Sequence, residues 1–157
     1  MAVSEIKSKF GTSTALTITL ASLASSTAGV GRQSTLIDNS SDKFQKIHLF
    51  CKVTTGTSPT ASKGIYVYLI KADKTASANV ITDSAGTSDA GITVVTAQQI
   101  AGAFTSSTSN TAYAFDCVIQ NPGPMWGIAI VHDTGVALHA TGGNHAAYYV
   151  GENPEAQ

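Results

Sequence analysis

AYAFDCVIQNPGPMWGIAIVHDTGVALHATGGNHAAYYVG, residues 112–151, reads as three or four short strands and the turns between them, with little left over. Over residues 112–120, Tyr113, Phe115, Cys117 and Ile119 alternate with Ala114, Asp116, Val118 and Gln120, the period of two that a half-buried strand requires. Asn121, Pro122, Gly123 and Pro124 end it. Residues 125–132 then set Trp126, Ile128 and Ile130 on one side, with Gly127, Ala129 and Val131 facing away from that core. Asp133, Thr134 and Gly135 make a turn, residues 136–140 read as a short strand, 141–144 as a Gly-rich turn, and 145–150 as a strand carrying Tyr148 and Tyr149. The pattern is an antiparallel meander.

Working outward, residues 43–54 form the longest expected strand, with Ile47, Leu49, Cys51 and Val53 facing in and Lys46, His48, Phe50 and Lys52 facing out. Residues 64–72 are apolar on both faces, Ile65, Val67 and Leu69 against Tyr66, Tyr68 and Ile70. Such a strand is either central with both faces covered or presents its second face to another subunit. Residues 32–38 and 92–96 are further short strands, and Leu16, Ile18 and Leu20 alternate with Ala15, Thr17 and Thr19 in another. Residues 97–103 read as a helical turn or irregular crossing, 73–91 as a long surface excursion and 105–111 as a Ser/Thr loop. About eight or nine short strands with almost no helix predict an all-β antiparallel sandwich, a jelly roll first and an immunoglobulin-like sandwich second. The expected organisation is an N-terminal arm at 1–12, a sandwich domain at 13–151 and a C-terminal tail at 152–157. The arm has no core-forming pattern and is expected to be free or ordered only on a partner. Strict alternation over 15–20, with Glu5 upstream, argues against reading the N-terminus as a secretory signal.

With 157 residues, 43% hydrophobic and 12% charged, the chain is long enough to bury a core without metal or disulfide, and about half as charged as a typical domain. Ser, Thr, Asn and Gly must build its polar surface, which suits close protein contact. A net charge of -1 without any run of Lys or Arg leaves no footprint for nucleic acid or an anionic membrane. Cys51 and Cys117 fall on inward positions and read as buried thiols, paired only if their strands face each other across the sandwich.

No catalytic constellation is legible. His48, His132, His139 and His145 include no His-x-His pair, no Gly-x-Ser-x-Gly elbow occurs, and Gly29 and Gly31 before Ser34 lack the third glycine and the helix of a dinucleotide loop. Asn39-Ser40-Ser41 matches a glycosylation sequon whose meaning depends on a secretory context. Neither catalytic residue, metal nor cofactor is expected. Lys7, Lys9 and Phe10 of the arm, Phe50 in its basic surround, and Tyr66 and Tyr68 are the candidate partner-contacting residues.

The segments TALTITLASLAS (14–25), GRQS (31–34) with Asp38-Asn39, and ATGGNHAAYY (140–149) resemble small virion structural proteins of tailed bacteriophages. The similarity spans most of the chain but rests on strand and turn residues. It implies a non-enzymatic jelly-roll component of the particle, a capsid decoration or cement protein that binds the major capsid protein and copies of itself. Its implied location is the virion, assembled in the host cytoplasm. A tail-fibre or baseplate module that binds a receptor or glycan is the alternative.

Overall fold

The computed structural model describes residues 6–74, 78, 80–83 and 85–156, and in it the alternating segments become strands of two antiparallel sheets. The first sheet runs β1 (Ile6–Phe10), β11 (Ala146–Ala156), β5 (Lys46–Thr54) and β9 (Ala112–Gln120), with β2 (Thr14–Ala15) also paired to β11. The second runs β7 (Ala90–Thr93), β3 (Val30–Gln33), β10 (Met125–His132), β6 (Gly64–Ala72) and β8 (Gln98–Phe104), with β4 (Ile37–Asp38) also paired to β10. When the interrupted β1/β2 and β3/β4 each count as one strand and the edge strand β7 is set aside, a simple connectivity emerges. One sheet then has its strands in the order first, eighth, third, sixth, and the other second, seventh, fourth, fifth. That is a jelly roll, a double-sheet fold of two Greek keys. The strands number eleven among the described residues, more than expected, because β1 and β8 form where no strand was expected and the 32–38 segment splits in two.

The core lies between the sheets and follows the expected parities. Ile47, Leu49 and Val53 of β5 meet Ile65 and Val67 of β6 and Trp126, Ile128 and Ile130 of β10. Trp126 is fully buried, and its ring stands at 89° to Tyr149 of the opposite sheet with centroids 5.1 Å apart, an edge-to-face pairing that ties β10 to β11. Every residue of β10 is buried, so its second face is also covered. The cover comes from Ala78, Ile81, Ala85, Val94 and Ala97, which pack on a second cluster that includes Leu36, Ile70, Ile92 and Ala129. Gln33 Nε2 donates to the Gly86 carbonyl at 2.8 Å, and the Asp89 carboxylate accepts from Arg32 Nε at 2.5 Å and Thr19 Oγ1 at 2.6 Å. The two-sided apolar pattern of β6 is thus resolved in part within one chain, since Ile70 is buried under this cover while Tyr66 and Tyr68 remain half-buried.

Six expectations are corrected. Where 97–103 were expected to form a helical turn or irregular crossing, Gln98–Phe104 is strand β8, with the small Ala101, Gly102 and Ala103 paired to β6. Residues 136–140 make no strand. Leu138 alone bridges to Thr55, and its buried side chain is what the apolar pattern recorded. The strand expected over 32–38 splits into β3 and β4, and from the alternating 15–20 segment only Ala15 joins Thr14 in a ladder, although Leu16 and Leu20 are buried as read. Part of the expected arm is ordered on its own chain, since Ile6–Phe10 pairs with β11 from Glu152 to Ala156; residues 1–5 lie outside the described residues. The expected tail from 152 is therefore the second half of β11, with Gln157 outside the described residues.

Phe10 pairs with Glu152 and Thr14 with Tyr149, so residues 11–13 oppose only 150 and 151. This one-residue bulge inverts the facing parity between β1 and β2, which is why Phe10 points out while Leu16 points in. Replacing Trp126 with Ala is expected to cost about 3–5 kcal/mol in denaturant unfolding. The wild-type indole should fluoresce in the blue and resist aqueous quenchers; a quenchable, red-shifted signal contradicts this packing.

Candidate protein-binding face

The outer face of the first sheet carries aromatic, apolar and ionisable side chains in register. Antiparallel register lines them up in rows across β11, β5 and β9. One row holds Phe10, Glu152, Lys46 and Gln120, the next Val150, His48 and Val118, and the next Tyr148, Phe50 and Asp116. Phe10 (58%), Phe50 (48%), Val118 (48%) and Tyr148 (46%) are all exposed, so the rows make an apolar and aromatic surface rather than the polar one an outward sheet face usually presents. The Phe10 ring meets the His48 ring edge-on at 5.5 Å.

Glu152 organises the upper edge of this face. Its carboxylate accepts from Ser8 Oγ at 2.6 Å and Lys46 Nζ at 3.1 Å, and meets His48 Nε2 at 2.7 Å. The hydrogen bond from Ser8, followed by those from His48 and Lys46, holds its carboxyl down at about 2, against an ordinary 4.5. One carboxylate thereby fastens β1 to β5 across β11.

Of the residues singled out from sequence, the structure brings Phe10 and Phe50 onto this face. Lys9 lies on the other side of β1, with Nζ 3.0 Å from the Glu155 carboxylate, and Lys7 shares its parity. Tyr66 and Tyr68 stand on the outside of the second sheet, across the sandwich, with ring centroids 6.5 Å apart. Tyr66 lies directly over Gly64, where a Cβ has no room, so its ring is laid down on the sheet rather than offered outward. Sequence reasoning missed Tyr148, Val118 and Glu152. The signal for Tyr148 is present in the Tyr148-Tyr149 pair, because adjacent strand residues face opposite ways and only one of the two can be core.

The four histidines are separate structural fixtures. Buried His132 spans Thr134 Oγ1 and the Leu23 carbonyl, both at 3.0 Å, and burial lowers its pKa. His145 receives the Thr54 N–H at Nδ1 and donates from Nε2 to the His139 carbonyl at 2.9 Å. No group of three or more His, Cys, Asp or Glu that could hold a metal occurs among the described residues. Cys51 and Cys117 are free thiols on neighbouring strands of one sheet, not across the sandwich, and burial pushes Cys51 up to about 12. A cleft of about 330 Å³ opens beside Tyr148 between the 15–21 segment and residues 142–148, lined by Leu16, Ile18, Leu20 and His145. Both ring nitrogens of His145 are already engaged, so the cleft presents no free acid or base from that ring.

The sequence matches no protein-family model and no curated protein. No helix among the described residues is long and apolar enough to cross a membrane.

Because its folded pKa is depressed, Glu152 contributes stability that is present above about pH 4.5 and is lost as pH falls through about 2. The wild-type melting temperature should therefore drop more steeply between those values than that of Glu152→Gln. Identical pH profiles for the two proteins contradict the assigned network.

Proposed function

We propose that this chain is a non-enzymatic structural protein of a bacteriophage virion, a decoration protein that binds the major capsid protein on the outside of the head and stabilises the shell. The observation that carries the reading is the exposed row system of Phe10, Phe50, Val118 and Tyr148 on a rigid sheet face. A flat apolar field of this kind fits another protein's surface better than it fits a small substrate, which needs a concave site with convergent polar groups. The jelly roll and the sequence resemblance support the same reading. Low charge suits it too, since a surface of hydroxyls and small residues packs against a lattice without the cost of stripping water from many ions. On a symmetric shell, modest contacts at each copy combine through multivalency with neighbouring subunits, so no single site need be tight.

A second reading, a glycan-binding or receptor-binding module on the tail, is favoured by one observation. Tyr148 belongs to the apolar face and also borders the cleft beside residues 15–21, which places an aromatic platform next to a recess.

The two readings separate in a binding experiment. Heads lacking the protein should take it up in a sedimentation assay, and Phe50→Asp combined with Tyr148→Asp should weaken uptake at least about tenfold, the loss of a central aromatic anchor, while leaving the melting temperature within a few degrees. Uptake undiminished by the double substitution, or binding to tails and glycans but not to heads, overturns the decoration reading.

A further inference from the structure

The sandwich has four lateral edges, and three of them carry devices that discourage strand addition. β1 is five residues long with Lys7 and Lys9 on it and ends at the 11–13 bulge. β7 has four residues. β8 is bulged at Ile100, because Val67 pairs with Ala101 while Tyr68 pairs with Gln99. β9 differs from all three. It runs nine residues in unbroken register with β5, from Lys46 opposite Gln120 to Thr54 opposite Ala112. It contains no Lys, Arg, Pro or Gly, and Asp116 is its single charge. No other strand pairs with its far side, and among the described residues no backbone hydrogen bond outside the ladders involves residues 112–120. The inward side chains at this edge are also incompletely covered, since Tyr113 and Cys117 are half-buried where Phe115 and Ile119 are buried.

We infer that β9 is a dimerisation edge that pairs antiparallel with β9 of a second copy, joining the two first sheets into one continuous sheet. A strand that meets itself about a two-fold axis must be self-complementary. β9 meets that condition: its outward side chains are Ala112, Ala114, Asp116, Val118 and Gln120, small or neutral apart from one carboxylate. A register centred on Cys117 sets Asp116 opposite Val118 of the second copy, so the two carboxylates sit on a diagonal rather than face to face. The same register sets Cys117 opposite Cys117 of the second copy, so the two half-buried thiols close over each other. It also makes the apolar rows of Phe50, Val118 and Tyr148 continuous with those of the second copy. β9 also lacks the basic residues found on β1, and this register pairs residues 114–120 of each copy, a longer unbroken run than β1, β7 or β8 offers. The inference does not rest on the capsid reading, since a dimer forms in solution whether or not the protein binds a shell.

Sedimentation equilibrium of the full chain tests it. The wild type should be a dimer at tens of micromolar. Ala114→Lys, which puts a charge on the exposed side of the edge, should raise the dimer dissociation constant at least tenfold with an unchanged circular dichroism spectrum and melting temperature. Gln98→Lys on the exposed β8 edge should leave the dimer intact. Independently, copper phenanthroline with oxygen should oxidise the two facing Cys117 thiols of the wild type to an intermolecular disulfide that Cys117→Ser does not form, because Cys51 is buried. A wild type that stays monomeric throughout, whether or not another protein's strand binds it, or an Ala114→Lys protein that dimerises like the wild type, overturns the assignment.

Discussion

Burial of β10 on both faces is the constraint on which the molecule depends. A strand with Trp126, Ile128 and Ile130 on one side and Met125, Ala129 and Val131 on the other has no face to give to water, so two separate covers must exist. The first sheet supplies one, and Leu36 together with Ala78, Ile81, Ala85, Val94 and Ala97 supplies the other. The small residues on the second face make the approach possible. A Cβ on Gly127 would lie 2.6 Å from Leu36 and 2.8 Å from Ser34 Oγ, and Ser34 Oγ in turn accepts the Ile128 N–H at 3.1 Å. Trp126 supplies the bulk that fills the interior against Tyr149, so one strand fixes both the thickness of the sandwich and the closeness of its outer cover.

With the interior fixed, the surface divides its work by face. The outside of the second sheet is covered in part by its own chain and by the Tyr66 ring lying on Gly64, with Phe104 exposed at its β8 edge. The outside of the first sheet has no cover of this kind, and Lys46 and His48 gather at one end on Glu152, while Asp116 and Lys52 stand further down the face. A chain with so few charges can leave an apolar field open only if something else shields it in use, because exposed apolar patches otherwise promote association. That asymmetry between two sheets of one sandwich is the physical basis for reading the first sheet's outer face as the working surface.

Much of this was legible in the sequence where alternation is strict. Residues 112–131 and 46–54 declare their inward sides, and the turns at 121–124 and 133–135 declare their ends, so the sandwich and its core follow from period-two patterning alone. What was hidden has identifiable causes. The bulge at 11–13 inverts parity, so Phe10 and Leu16 look equivalent in sequence yet face opposite ways. β8 is built from small residues with little alternation, and Leu138 is buried without a ladder, so pattern and structure part company at both places. The cover over β6 and β10 comes from a polar segment whose few apolar residues, Ala78, Ile81 and Ala85, carry no regular period. Phe50 was visible as an outward aromatic. Its partnership with Tyr148 and Val118 depends on cross-strand register, which a single sequence does not specify.

The account's central claim is that the outer face of the first sheet, and not the Tyr66 side, meets the shell. The most direct measurement is a cryo-EM reconstruction of intact particles carrying the protein. The account predicts density for the jelly roll on the outside of the head, oriented with Phe50 and Tyr148 against the capsid lattice and Tyr66 toward solvent. The opposite orientation, or density for this chain only on the tail, contradicts it.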